Sequence, residues 1–274
     1  MIRFSATITA QYDTGFSPFL AKDYDKSLDW LQTSGFDAAE ICISNYENID
    51  PNKIKRDLDK RGLDCSTIST GQSRTLENIS LIHEDINARK KAQERMKEHI
   101  DAASILGSKV TLGLLRGLGD SSLVDEQKII LAKSLEPIIA HAEEKKVTII
   151  LEPINRYETV MLNSAQDTVN YIKNDLGNPN CIGILWDVFH ANIEDVSFES
   201  AIDIMGEKLK HVHLADSNRM FPGHGHIDFE KIYKKLVKVG YNQYMSFECL
   251  NQPLIDSVIN ESKDFIQSLK SMSV

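Results

Sequence analysis

The chain has 274 residues, of which 42% are hydrophobic, and a formal net charge of −9. That length and apolar content suffice to bury a large core, so one α/β barrel of about 250 residues fits as readily as two smaller domains. The acidic balance argues against a nucleic-acid backbone as partner, and no apolar stretch approaches the roughly 20 residues that span a bilayer.

Met1-Ile2-Arg3-Phe4 enters a strand pattern directly, without a leader segment, so a cytoplasmic protein is expected. The first strand is read over Arg3 to Ala10, and the first helix runs through YDKSLDWLQTSG to a stop at Gly35. AAEICI and PNKIKRDLDKRG form the second unit, with Pro51 in the first helical turn and Gly62 at the stop. The third strand, DCSTIST, leads through a polar loop to a long helix from about Ile86 to Leu106, closed by Gly107. KVTLGLL and EQKIILAKSLEPIIAHAEEKK are the fourth strand and helix, and Pro137 inside the latter predicts a kink or break. VTIILEPI precedes SAQDTVNYIKND, where Ser164 suits an N-cap, and IGILWDVF precedes FESAIDIMG. LKHVHLAD leads to a glycine-rich loop and DFEKIYKKLVKVG, and YMSFECL leads to a final helix from about Leu254 to Met272.

Eight strand-helix units without a linker or composition break predict a single (β/α)₈ TIM barrel over residues 1–274. Cys42, Cys65, Cys181 and Cys249 are far apart and lie in or beside these strands, which points to buried, reduced thiols rather than disulfides.

In such a barrel, chemistry sits at the carboxyl ends of the strands. Glu152, Asp187, His213 and Glu248 end strands five to eight. Alternation puts His213 on the face of His211, Glu152 on that of Ile150 and Thr148, and Glu248 on that of Ser246 and Tyr244. A polar face therefore points to the barrel axis at the active end. Two Glu, one Asp and one His make an oxygen-rich set that suits Mn²⁺ or Mg²⁺, with Co²⁺ tolerated. A lone strand-end carboxylate is often only a cap, but four converging groups are not explained that way. A divalent ion there would polarise a bound hydroxy-ketone and stabilise an enediolate. One glutamate would take a proton and the other would return one to the opposite face, giving epimerisation, or aldose-ketose isomerisation if the adjacent carbon is protonated.

The stretches LEPINRYE, WDVFH, HVHLADSNR, PGHGHIDF and SFECL resemble the xylose isomerase-like sugar phosphate isomerase/epimerase superfamily, nearest to its ketose (tagatose/allulose) 3-epimerases. The resemblance is dense over strands five to eight and only architectural before them. It implies that Glu152, Asp187, His213 and Glu248 hold the metal, Mn²⁺ foremost, and that Glu152 and Glu248 are also the acid/base pair. It further implies that Glu158, His190 and Arg219 hold a small sugar or sugar phosphate, and that the protein assembles as a dimer or tetramer. An endonuclease IV-like metal hydrolase on the same barrel would need more histidines and a basic groove, and a purely sugar-binding barrel would not need the glutamate pair.

Other residues are read individually. Arg116, after strand four, either meets the substrate or is a surface arginine on a loop. The glycines at 113, 117 and 119 lack dinucleotide-fingerprint spacing. His211 either orients His213 or fills the core. His224 and His226 belong to a solvated loop, and His83, His99 and His141 are expected at the surface. Trp30 is read as a packing residue, and Trp186, next to Asp187, should face the helical shell.

Overall fold

A computed structural model describes residues 1–272. Eight parallel strands close into one barrel in sequential order: β1 (Arg3–Thr9), β2 (Ala38–Cys42), β3 (Asp64–Ser69), β4 (Lys109–Leu112), β5 (Ile149–Leu151), β6 (Ile182–Asp187), β7 (Leu209–Leu214) and β8 (Tyr244–Phe247). β8 pairs with β1, with Ser5 opposite Ser246, so no edge is left open.

The helices are α1 (Tyr24–Thr33), α2 (Pro51–Asp59), α3 (Gly71–Glu77), α4 (Ile86–Leu106), α5 (Val124–Lys145), α6 (Ala165–Asn174), α7 (Val188–Glu194), α8 (Phe198–Met205), α9 (Phe229–Lys238) and α10 (Ile255–Ser271). Their starts follow local chemistry. Asp50, Asp85, Ser164, Ser197 and Asp228 each accept a backbone N–H from the first turn, and Pro51 occupies the position after its cap.

Two helices, α3 and α7, lie where the sequence predicts loop or strand continuation. Both begin at the mouth of the barrel within two residues of a strand's end, too short and too close to a strand for an apolar period to register. Of the kink or break expected at Pro137, the break does not occur; α5 runs through it as one helix. Pro137 lies on the exposed side, where water can satisfy the carbonyl that loses its N–H partner, while Leu131, Leu135, Ile138 and Ala142 bury the opposite side.

Alternation along each strand separates two environments. Phe4, Ile8, Ile41, Ile68, Val110, Leu151, Trp186, Val212 and Phe247 pack outward into the helical shell. The opposite parity is polar and buried: Ser5, Thr7, Glu40, Thr67, Thr111, His211 and Ser246. Trp186 faces the shell as expected, with its ring edge-on to Phe198 and its Nε1–H donated to Asp195. All four cysteines are free; Cys42, Cys65 and Cys249 are buried and Cys181 half-buried.

His99 departs from the surface placement expected of it. It is fully buried, sharing hydrogen bonds with Tyr46 Oη at 2.8 Å and Ser73 Oγ at 3.0 Å, and burial pushes its imidazole down to about 3. A helix of modest amphipathicity does not reveal which of its polar residues faces inward, and here α3 supplies the polar lid that satisfies it.

Phe247 joins barrel to shell: its ring stacks on Phe221 and meets Phe36 and Phe265 edge-on. Phe247→Ala is expected to lower unfolding free energy by about 3–5 kcal/mol, read from a urea denaturation midpoint.

Candidate active site

At the carboxyl-terminal mouth, Glu152, Asp187, His213 and Glu248 bring one ligand atom each to within 4.8 Å of one another. His213 Nδ1 lies 3.2 Å from Glu248 Oε2 and 3.7 Å from both Glu152 Oε1 and Asp187 Oδ2. Each side chain is aimed by its own element. Asp187 ends β6 and caps α7, its Oδ1 accepting from Phe189 N at 2.7 Å and His190 N at 3.2 Å. That leaves Asp187 Oδ2 buried without a hydrogen-bond partner, and His213 Nδ1 is in the same state. Two orphaned buried atoms facing two further carboxylates are what a divalent cation would satisfy, so the cluster can hold a metal ion.

The electrostatics fit that reading. Burial, together with the nearby Glu248 carboxylate, pushes the Glu152 carboxyl up to about 8. Burial would raise Asp187 too, but His190, His213 and Arg219 hold it below the usual carboxylate range. His213 loses by burial and gains more from Glu40 and Glu248, so its imidazole is held well above its ordinary value.

Glu40 is a residue that sequence reasoning missed. It is fully buried inside the barrel, its Oε2 3.0 Å from His211 Nε2 and its Oε1 3.0 Å from His213 Nε2. Against the cost of burial, His213 and His211 hold its carboxyl well below the usual range. His211 meets His213 only edge-on, with ring centroids 5.3 Å apart, and reaches it through Glu40. The inward parity of Glu40 on β2 was available from the alternation in AAEIC; its partner across the barrel was not.

The cleft above the quartet encloses about 300 Å³ and is also lined by Glu158, His190 and Arg219. Arg219 donates to Glu158 Oε1 at 2.7 Å and lies 3.8 Å from Glu248 Oε2. Its guanidinium is sandwiched between Phe16 and Phe189, 4.8 Å from each ring centroid. Asn155, inside the LEPINRYE stretch but given no role there, donates its Nδ2–H to Glu158 Oε1 at 3.1 Å and meets His190 Nδ1 at 2.7 Å. An amide nitrogen only donates, so His190 Nδ1 accepts and its Nε2–H remains as a donor. Burial lowers this imidazole further, which keeps it neutral.

Arg116 meets neither expectation. It is fully buried and holds backbone, donating to Glu152 O at 2.5 Å, Met161 O at 3.2 Å and Leu162 O at 3.4 Å. It anchors the chain that leaves β5 instead of reaching the cleft. Its sequence context showed a post-strand loop, but not that the neighbouring loop would fold over it.

The loop after β7 is organised by Asp216, whose carboxylate accepts from Ser217 N, Gly223 N and Ile227 N. His224 and His226 in this loop are exposed, with His224 3.1 Å from Glu261.

A profile described as the xylose isomerase-like TIM barrel matches residues 28–272. The chain belongs to the xylose isomerase-like TIM barrel family. Within it, the chain is 28% identical over 240 residues to a ketose 3-epimerase of Arthrobacter globiformis, covering 86% of this chain and 81% of the relative. It is 29% identical over 231 residues to a D-psicose 3-epimerase of Ruminiclostridium cellulolyticum, covering 80% and 76%. A solved L-ribulose 3-epimerase superposes with a TM-score of 0.82 at 24% identity, over 100% of this chain and 96% of that one, which speaks for the fold. This member of the family is an enzyme of the isomerase class. No helix among the described residues is long and apolar enough to cross a membrane.

Gly113 shows how tightly the barrel end is fitted: a Cβ there would lie 2.4 Å from Glu152 Oε2. Because only the end of a side chain must move, Gly113→Ala is expected to change unfolding free energy by less than about 1 kcal/mol. Divalent-metal affinity is expected to fall about tenfold in isothermal titration, since the displaced carboxylate is that of a cluster residue.

Proposed function

We propose that the protein epimerises an unphosphorylated ketose at C3, using a divalent ion, Mn²⁺ foremost, held by Glu152, Asp187, His213 and Glu248. The observation that carries this is the pair of buried, partnerless atoms Asp187 Oδ2 and His213 Nδ1 set against two glutamates at the floor of a sugar-sized cleft. The relatives named as ketose and D-psicose 3-epimerases support the same reading.

When bound, the ion supplies positive charge that polarises the ketose carbonyl and stabilises the enediolate. The chain's own residues move the proton. One of Glu152 and Glu248 removes the C3 proton, leaving the electron pair in the enediolate, and the other delivers its proton to the opposite face of C3. The reverse reaction uses the two in exchanged roles, and before another forward turnover the first loses its proton to solvent and the second regains one. Arg219, clamped between two aromatic rings and bonded to Glu158, offers donors whose position is set before substrate arrives. His190 adds a neutral N–H donor for a substrate oxygen.

Charge argues for a free sugar. Asp13, Glu152, Glu158 and Glu248 line the cleft, and Arg219, the arginine among its described lining residues, is already engaged by Glu158. A phosphate dianion would meet four carboxylates and no uncommitted guanidinium.

Dialysis against chelator is expected to abolish ketose epimerisation and Mn²⁺ to restore it; full activity in the stripped protein would refute the metal reading. Glu152→Gln and Glu248→Gln are each expected to abolish exchange of the C3 proton with solvent deuterium, followed by NMR, and retained exchange in both would refute the two-base scheme. In a parallel screen, free ketoses are expected to exceed their phosphate esters in kcat/KM by about 100-fold or more, a penalty of a few kcal/mol for an unpaired dianion.

A further inference from the structure

We propose that Glu40 is a positioning residue that decides which nitrogen of His213 keeps its proton, and so keeps Nδ1 open for the metal. This rests on the reading of the quartet as a metal site.

In the neutral form that a metal ligand must take, the geometry sets up a competition for the one proton of His213. On its Nδ1 side His213 faces three carboxylates, with Glu248 Oε2 at 3.2 Å and Glu152 Oε1 and Asp187 Oδ2 at 3.7 Å. Each of them would welcome an N–H, and an N–H at that nitrogen excludes a metal ion. On the Nε2 side, among the described residues, Glu40 alone stands against them, at 3.0 Å from one oxygen and 3.1 Å from the other. A carboxylate can only accept, so its contact requires the proton on Nε2 and leaves the lone pair on Nδ1 for the cluster.

Glu40 is itself held in place. It reaches across the barrel from β2 to β7, two strands that are not neighbours, and His211 Nε2 donates to it at 3.0 Å. His211 Nδ1 is buried with no hydrogen-bond partner. A proton moved to that nitrogen would be left unpaired, so His211 is committed to donating from Nε2. All three side chains are essentially excluded from solvent, so no water can substitute for a missing acceptor.

Glu40→Gln turns this arrangement against the metal. The amide has one accepting oxygen and one donating nitrogen for two imidazoles. His211 cannot change tautomer without orphaning a proton, so the oxygen goes to His211 and the amide nitrogen faces His213. His213 must then present a bare Nε2, and its proton moves to Nδ1, where Glu248 accepts it.

The test combines isothermal titration with Mn²⁺ and Mg²⁺ on the chelator-stripped full chain and long-range ¹H–¹⁵N spectra of histidine-labelled protein loaded with diamagnetic Mg²⁺. Wild type is expected to show His213, assigned by loss of its signal in His213→Gln, protonated at Nε2 alone. Glu40→Gln is expected to bind either ion about 10–100-fold more weakly, while His211→Gln, which keeps the carboxylate on His213, stays within about threefold of wild type. Wild-type spectra with His213 Nε2 bare would overturn the proposal without recourse to any variant, as would a Glu40→Gln protein that binds metal as tightly as wild type. Should wild type bind neither ion, the metal reading of the quartet fails first, and that outcome is distinct from a loaded wild type with the wrong tautomer.

Discussion

Three carboxylates crowd around a single buried imidazole at the mouth of this barrel, and much of the nearby structure exists to hold that costly concentration of charge in place. Left alone, such a cluster would take up protons or draw in water, and the elevated Glu152 carboxyl records that tendency. The barrel resists it by giving each member a second commitment. Asp187 spends one oxygen on the first turn of α7, His213 spends Nε2 on Glu40, and the backbone of Glu152 is held by Arg116. What remains uncommitted points to one place. An oxygen-rich cluster that could hold a metal ion is the natural outcome of those commitments.

The supports are themselves polar groups held in the interior, and each engages more than one partner. Arg116 gathers carbonyls from two points on the segment that leaves β5, and Asp216 gathers amide N–H groups from the loop after β7. Asn155 fixes Glu158 and His190 with one amide nitrogen. Apart from the bond from Arg116 to the Glu152 carbonyl, these contacts lie outside the quartet, yet each restricts a loop that forms the cleft wall. The precision of the site therefore comes from the interior of the barrel and from its loops together, as expected where a site is built on rigid strands and trimmed by their connections.

The same division explains what could be read from the chain. Strand parity made Glu152, Asp187, His213 and Glu248 legible, because inward and outward residues alternate with period two and a parallel barrel ends all its strands on one face. Motif resemblance brought in Glu158, His190 and Arg219, and the structure clusters the first four and places Glu158, His190 and Arg219 beside Glu152 and Glu248 in the cleft lining, with Arg116 outside it. Glu40, Asn155 and Asp216 were passed over for different reasons. Glu40 lies on a strand whose end carries no conspicuous ligand, Asn155 sits between two more conspicuous charges, and Asp216 acts on backbone rather than on side chains. His99 was misplaced because a polar residue on a long helix becomes buried only when another element brings it partners.

The sequence by itself determined the eight-fold alternation, the inward parity of the strand ends and the chemical types that converge there, since these depend on local periodicity and on residue identity. Which nitrogen, oxygen or guanidinium is free and which is spent was decided only by tertiary structure. Those assignments hinge on contacts between residues far apart in the chain, such as Glu40 with His213 and Arg219 with Glu158, and hydrogen-bond satisfaction is a property of the folded neighbourhood rather than of the segment that carries the group.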